Sequence, residues 1–136
     1  INPDLIVSVD GHVHGPESAP DSSGRNERPW IEAGWVDVVY NMDYGEHLRF
    51  GHVDTVRAAV SRPEAIVDLP GNYERTDTGK VISRAGQLVA DHISYCQRKW
   101  PGNGVGLYLY SLLNEEQIEA LRAGPFAEDA TPRWVR

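Results

Sequence analysis

Four short apolar runs alternate with polar or helix-patterned segments along the chain. The runs are rich in β-branched and aromatic residues, which suit the pleated surface of a strand, and they lie at residues 5–9, 36–40, 65–69 and 105–110. Near-continuous apolarity is typical of parallel strands that are covered on both faces. The pattern therefore predicts four parallel strands in sequential order.

Helical periodicity separates these runs. Apolar residues at three- and four-residue steps predict the strongest helix from Ile82 to Trp100, ended by Pro101 and Gly102. Shorter helices are predicted over residues 27–33, over residues 46–61 and directly after Asn114. Asn114 is expected to cap the last of these helices, with Gln117 three residues later as in a capping box.

The order of these elements is β-α-β-α-β-α-β-α, which implies a parallel sheet with right-handed crossovers. Four such units in 136 residues match half of a (β/α)8 TIM barrel, which takes about 250 residues. A small open three-layer sandwich is the competing architecture. We expect a single α/β domain over residues 1–136, with an irregular tail at residues 126–136.

The charge of the chain excludes some classes of partner. The formal net charge is −7, which argues against a nucleic-acid surface and against binding to an anionic membrane surface. The chain contains neither an apolar run of transmembrane length nor a signal peptide. Because it opens with Ile1-Asn2-Pro3, we interpret it as part of a longer gene product, in which a signal peptide could precede it. Its single cysteine, Cys96, excludes an internal disulfide, and no cofactor is predicted.

Polar and aromatic residues follow the predicted strands, where α/β proteins bind their ligands. They are Asp10 after the first strand, Asn41, Asp43 and Tyr44 after the second, and Asn72 and Tyr73 after the third. Because the carboxyl ends of parallel strands share one edge of a sheet, we expect these six residues to converge. The alternative is that Asn41 and Asp43 only turn the chain and cap the next helix.

The segment from Trp30 to Tyr44 contains a Trp, a Gly and an Asp, followed by a strand that ends in Met-x-Tyr. Together with the later strand at Gly104–Ser111 and the helix beginning at Glu115, it resembles the family 10 glycosyl-hydrolase-like proteins, in the carboxyl-terminal half of their barrel. One departure is Asn41, which stands where a Pro usually precedes the Met. The resemblance implies a (β/α)8 fold, a secreted or periplasmic location and hydrolysis of peptidoglycan-like or other bacterial glycans.

Glycoside hydrolysis usually requires two carboxylates, about 5–5.5 Å apart for retention or about 6.5–9.5 Å for inversion. Asp10 and Asp43 would end adjacent strands, so they are the predicted catalytic pair. The predicted substrate-binding residues share an aromatic ring or an amide suited to a sugar; they are Asn41, Tyr44, Asn72 and Tyr73. The alternative is that both carboxylates bind a backbone amide or a loop.

Two further hypotheses belong to other functional classes. His12 and His14 lie one residue apart after the first strand, as in the His-x-His pair of metal-dependent amidohydrolase barrels, so one alternative function is a metal-dependent hydrolase. The further ligands of such enzymes are missing here, and the competing interpretation is that both are solvated loop histidines. The other hypothesis is that the chain is a non-catalytic glycan-binding or assembly module, and a carbohydrate is the predicted partner. A half barrel would also expose two apolar edge strands, which favours a homodimer or pairing with a missing barrel half.

Overall fold

The computed structural model describes residues 5–13 and 25–129. Its strands are β1 (Ser8–Gly11), β2 (Val38–Asp43), β3 (Ile66–Pro70), β4 (Tyr73–Arg75) and β5 (Val81–Ser83). Its α-helices are α1 (Glu27–Glu32), α2 (His52–Ala58), α3 (Gly86–Lys99) and α4 (Glu115–Ala123). His14 and residues 130–136 of the predicted tail lie outside the described residues. Within the described ranges, no helix combines the length and the apolarity needed to cross a membrane.

The first three strands form a parallel sheet in the order β1-β2-β3. Asp10 pairs with Tyr40, and Asn41 pairs with Asp68. Paired residues of parallel strands point to the same face, and successive residues alternate between the two faces. One face therefore contains Val39, Asn41, Asp43, Ile66 and Asp68, and the opposite face contains Asp10, Tyr40 and Met42.

The first of these faces packs against three helices, and we call it the helix-covered face. Val39 and Ile66 share one apolar core with side chains of three helices, among them Ile31 of α1, Val56 of α2 and Cys96 of α3. A second core lies between α3 and α4, and it contains Val89, Ala90, Ile93 and Leu121. Burial of these apolar side chains, at roughly 25 cal/mol per Å2, holds the helices on the sheet.

The prediction of four parallel βα units resembling half of a (β/α)8 TIM barrel is wrong. The structure has a three-stranded parallel sheet and a separate antiparallel pair, β4 and β5. In that hairpin the Thr76 amide donates to the Lys80 carbonyl (2.9 Å), and Gly79 takes a φ of 78° that glycine accommodates without strain. Val81 and Ile82, which continue the apolar period of the following helix, are thus strand residues, and α3 begins only at Gly86.

The fourth predicted strand, at residues 105–110, is also wrong, because this segment does not form a strand of the sheet. The segment touches β3 through two isolated parallel bridges, Asp68 with Val105 and Gly71 with Tyr108. The Asn72 side chain then accepts the Leu109 amide (2.6 Å), and the chain turns into a 3-10 helix over Tyr110–Leu112. The segment therefore does not form a fourth strand of the sheet. The predicted half-barrel homodimer required this segment as an exposed edge strand, so the structure does not support that basis for the dimer.

Gly86 lies in close contact with the first turn of α4, and this contact leads to a prediction. A Cβ at Gly86 would stand 2.6 Å from the Glu116 carbonyl oxygen and 3.1 Å from the Gln117 Cα. Both atoms are backbone, which cannot rotate away. We expect Gly86→Ala to lower the free energy of unfolding by about 1–3 kcal/mol, although alanine is the better helix former.

Urea unfolding measures this effect, and Gly51→Ala is the matched control. A Cβ at Gly51 meets no heavy atom within 4 Å, and its φ of −86° suits any residue. That control is expected to change stability by no more than about 0.5 kcal/mol. Equal stabilities for the two variants would contradict the proposed helix contact.

Candidate functional site

The two predicted catalytic carboxylates leave the sheet on opposite faces. Asp10 pairs with Tyr40 across β1 and β2, whereas Asp43 lies three residues beyond Tyr40 in β2. An odd offset along a strand places side chains on different faces. The structure therefore assigns Asp43 to the helix-covered face and Asp10 to the opposite face.

Asp43 and Asn41 are buried, and each contacts a loop. The Asp43 Oδ1 accepts hydrogen bonds from Arg49 Nε (3.2 Å) and Nη2 (2.9 Å) in the segment before α2. The Asn41 Oδ1 accepts the Val13 amide at 3.0 Å, just beyond β1. These contacts match the alternative interpretation in which the two side chains fix the turns of the chain.

Three tyrosines gather at the carboxyl end of the sheet, and we call them the tyrosine cluster. Tyr44 stacks on Tyr108 with ring centroids 4.5 Å apart and an interplanar angle of 19°. Tyr73 completes the cluster, with its ring 6.5 Å from Tyr44 and 6.2 Å from Tyr108. Tyr73 is only 8% exposed, whereas Tyr108 is 37% exposed. Tyr44 and Tyr73 are site residues predicted from the sequence, whereas Tyr108 is not among them.

Asp10 belongs electrostatically with the tyrosine cluster. Burial first, and then the charge of Asp10, raises the pKa of Tyr44 to about 12, because both disfavour the phenolate. Smaller contributions come from the hydroxyls of Tyr108 and Tyr73. At neutral pH Tyr44 is therefore a protonated hydroxyl within electrostatic reach of an exposed carboxylate.

A polar cleft of about 260 Å3 adjoins the cluster at Tyr44. Its other lining residues are Glu46, Arg75, Thr76 and Asp77. Pockets for drug-sized ligands measure about 300–1,000 Å3, so this cleft has the size for one small polar ring. Hydrogen-bond donors and acceptors on its walls suit a ligand with many hydroxyl groups.

Asn72 is fully buried and holds the segment that contains Tyr108. Its Nδ2 donates to Gln117 Oε1 (3.1 Å), and its Oδ1 accepts the Leu109 amide (2.6 Å). Its backbone amide donates to the Tyr108 carbonyl, also at 2.6 Å. Both side-chain atoms of Asn72 are thus used inside the protein, so the structure places this predicted ligand-binding residue beneath the surface.

Arg84, which the sequence interpretation missed, positions the loops of the site. It is buried, and its guanidinium donates to the carbonyls of Gly71 (3.1 Å) and Glu46 (3.0 Å), and to that of Gly45. Arg84 Nη1 also pairs with Glu74 at 3.0 Å. The sequence signal was a lone arginine inside an apolar pattern, between Ile82 and Ala85.

The predicted histidine pair is described only in part. His12 is exposed after β1, and His14 lies outside the described residues. His52, at the start of α2, has a pKa lowered mainly by burial and then by the positive charge of Arg49. The carboxylates of Asp43 and Asp68 act in the opposite direction and raise that pKa.

Among the described residues, one group of side chains has the geometry of metal ligands: Asp68 of β3 with His92 and Cys96 of α3. His92 Nε2 lies 2.8 Å from Asp68 Oδ2, and Cys96 Sγ lies 3.5 Å from the same oxygen. Burial, and then the Asp68 carboxylate, raises the pKa of the Cys96 thiol. This group lies on the helix-covered face, so it is separate from the tyrosine cluster.

Comparison of the chain with protein-family models, with curated proteins and with solved structures gives no match. The resemblance to the family 10 glycosyl-hydrolase-like proteins therefore stays a prediction.

Proposed function

We propose that this protein binds a glycan at the tyrosine cluster and takes part in glycoside hydrolysis of a bacterial or other polysaccharide. The observation that best supports this function is the stack of Tyr44 on a partly exposed Tyr108. Both rings of the stack are partly exposed, and they offer an aromatic surface at the carboxyl end of the sheet. Sugar rings bind to such surfaces through their apolar C–H faces.

The surroundings of the stack suit the polar edge of a sugar. The Tyr44 hydroxyl, protonated at neutral pH, donates to a ring hydroxyl and also accepts from one. The adjoining cleft adds charged and hydroxyl side chains from Glu46, Arg75 and Thr76. An aromatic platform beside polar groups fixes both the plane and the orientation of a bound ring.

For hydrolysis, we assign Asp10 as the carboxylate on the glycan side. Asp43 lies on the other face of the sheet and forms an ion pair with Arg49, so it is not the catalytic partner of Asp10. The second carboxylate that hydrolysis requires then comes from the cleft, which offers Glu46 and Asp77. This proposal replaces the predicted Asp10–Asp43 pair with Asp10 and one carboxylate of the cleft beside Tyr44.

Glycan binding is tested with Tyr108→Ala. Loss of the stacking surface should weaken binding of N-acetylglucosamine oligomers about tenfold, since an aromatic contact contributes about 0.5–1.5 kcal/mol beyond its area. Isothermal titration calorimetry measures the affinity. Tyr110→Ala is the control, because Tyr110 is 88% exposed and lies two residues from Tyr108. Unchanged affinity in both variants would show that the tyrosine cluster does not bind the glycan.

Hydrolysis is tested by the release of new reducing ends from peptidoglycan. We expect Asp10→Asn to keep oligomer affinity within about twofold and to reduce the rate by a factor of about 100 or more, since general acid–base catalysis contributes 10²–10⁴-fold. Asp43→Asn is the comparison variant, and it should retain the rate if the variant is folded. Wild-type protein that binds oligomers but releases no reducing ends would instead be a glycan-binding module.

A further inference from the structure

A single carboxylate oxygen, Asp68 Oδ2, is contacted by two side chains of α3. His92 Nε2 is 2.8 Å away, and Cys96 Sγ is 3.5 Å away. The two helix residues are four positions apart, which places them on one face of α3. The donor atoms of all three residues lie within 4.8 Å of one another, and all three residues are buried.

A carboxylate oxygen, an imidazole nitrogen and a thiol sulfur are the three donor types found around Zn²⁺ in proteins. With Zn–S of about 2.3 Å and Zn–O of about 2.0 Å at a tetrahedral angle, the S···O separation is about 3.5 Å. The Cys96–Asp68 distance already has this value. The His92–Asp68 distance is shorter, and it must open by about 0.5 Å to reach the N···O separation of two co-ligands.

Charge balance also favours a bound dication. The Cys96 thiol donates to Asp68 Oδ2, and His92 Nε2 lies within hydrogen-bond distance of the same oxygen. A divalent ion that displaces the thiol proton would be bound by the Cys96 thiolate, the Asp68 carboxylate and the neutral His92 imidazole. The two negative charges balance the ion, so the buried centre is neutral and avoids the cost of an isolated buried charge.

Two buried atoms of the group have no hydrogen-bond partner among the described residues. They are Asp68 Oδ1 and His92 Nδ1. Such orphans are rare in native structures. Asp68 Oδ1 supplies a fourth donor atom when the carboxylate binds in a bidentate manner, and His92 Nδ1 holds the ring proton when Nε2 is a ligand.

We propose that Asp68, His92 and Cys96 form a buried zinc site that fastens α3 to β3. The ion is structural, because the three ligands are closed off from solvent and the site lies on the helix-covered face. The proposal does not depend on glycan binding at the tyrosine cluster.

The test is a Co²⁺ titration of the whole untagged chain, freed of metal and kept reduced. One equivalent should produce the thiolate-to-cobalt charge-transfer band and the visible bands of tetrahedral Co²⁺, and Zn²⁺ should displace it. Cys96→Ser should lose the charge-transfer band. For Cys96→Ser and Asp68→Asn, competition with a chromophoric chelator should give a zinc Kd at least about tenfold higher, since even changes to groups beyond the ligands cost 10–100-fold.

His12→Ala is the matched control, because His12 belongs to the alternative histidine pair and is exposed. It should leave the cobalt spectrum and the zinc Kd unchanged. Loss of binding in His12→Ala with retention in Cys96→Ser would overturn the proposal and assign the metal to the histidine pair. If the Cys96 variant does not fold, the wild-type spectrum decides alone, and bound Co²⁺ without a thiolate band, or no binding of Co²⁺, rejects the site.

Discussion

Replacing Arg84 by methionine is expected to lower the free energy of unfolding by about 3 kcal/mol. Arg84 is the donor to three backbone carbonyls and the partner of Glu74. Hydrogen bonds to a charged group contribute about 1.5–3 kcal/mol each to stability. The net loss is smaller than their sum, because water can replace Arg84 as the donor to those carbonyls that become accessible. Methionine keeps most of the volume, so the loss is one of hydrogen bonds rather than of packing.

Urea unfolding of three variants separates these contributions. Arg84→Lys retains the charge but not the planar fork of donors, so its stability should fall between those of the wild type and Arg84→Met. Arg122→Met is the control, because Arg122 is an exposed residue in the last turn of α4, and it should change stability by less than about 1 kcal/mol. Arg84→Met as stable as the control would show that the loops are held by other contacts.

The same variant links stability to the site. The carbonyls bound by Arg84 belong to Gly45, Glu46 and Gly71, which adjoin Tyr44 and Tyr73. Arg84 thus ties together the loops that follow β2 and β3. At a temperature where Arg84→Met is still folded, its oligomer affinity should fall as well, because the tyrosine cluster is then less well ordered.

The first three apolar runs predicted β1, β2 and β3 and their parallel order, but not the register in which they pair. β1, β2 and β3 fall on the first three runs, with β1 and β2 displaced toward the polar residues that follow. The register of the sheet decides which face each side chain takes, and a shift of one residue would reverse every face. A single sequence contains no direct signal for that register. The prediction that Asp10 and Asp43 cooperate therefore assumed one common edge and overlooked the two faces.

The helical periodicity that predicted a helix from Ile82 fails at its amino-terminal end, where the chain forms β5 instead. Ile82 and Ala85 fit the apolar spacing of α3, yet Ile82 pairs with Glu74 in the hairpin. Tertiary pairing outweighs a local period when an adjacent segment offers a partner strand. His92 and Cys96, four residues apart in the same helix, were a detectable signal for the proposed metal site, but their third ligand on β3 became visible only in the structure.

The prediction that Asn114 caps the last helix is confirmed, because its Oδ1 accepts the Gln117 amide at 2.9 Å. The Gln117 side chain, however, does not return to the backbone of Asn114, as a full capping box requires. It is fully buried and points toward Asn72 instead. The local motif identified the helix start, and the distant partner determined the role of the glutamine.

Gln117→Leu is expected to lower the free energy of unfolding by about 3 kcal/mol, although leucine has a similar volume. Gln117 Nε2 donates to the carbonyls of Asn72 and Arg84, both at 2.8 Å, and its Oε1 accepts from Asn72 Nδ2. Each buried polar group left without a partner costs about 1–3 kcal/mol. Thermal and urea unfolding measure the loss, and Gln87→Leu, on the exposed surface of α3, should stay within about 0.5 kcal/mol of the wild type.

A double-mutant cycle identifies Asn72 as the partner that matters. Asn72→Leu alone leaves Gln117 Oε1 and the Leu109 amide unpaired, so it should also be strongly destabilising. The double variant removes both side chains of the pair, so its cost should fall short of the sum of the single costs by about 0.5–3 kcal/mol. Additive costs would show that the Asn72–Gln117 bond is not the link between α4 and the Tyr108 segment. A coupled pair would mean that a buried amide pair, rather than a fourth strand, positions the aromatic surface of the site.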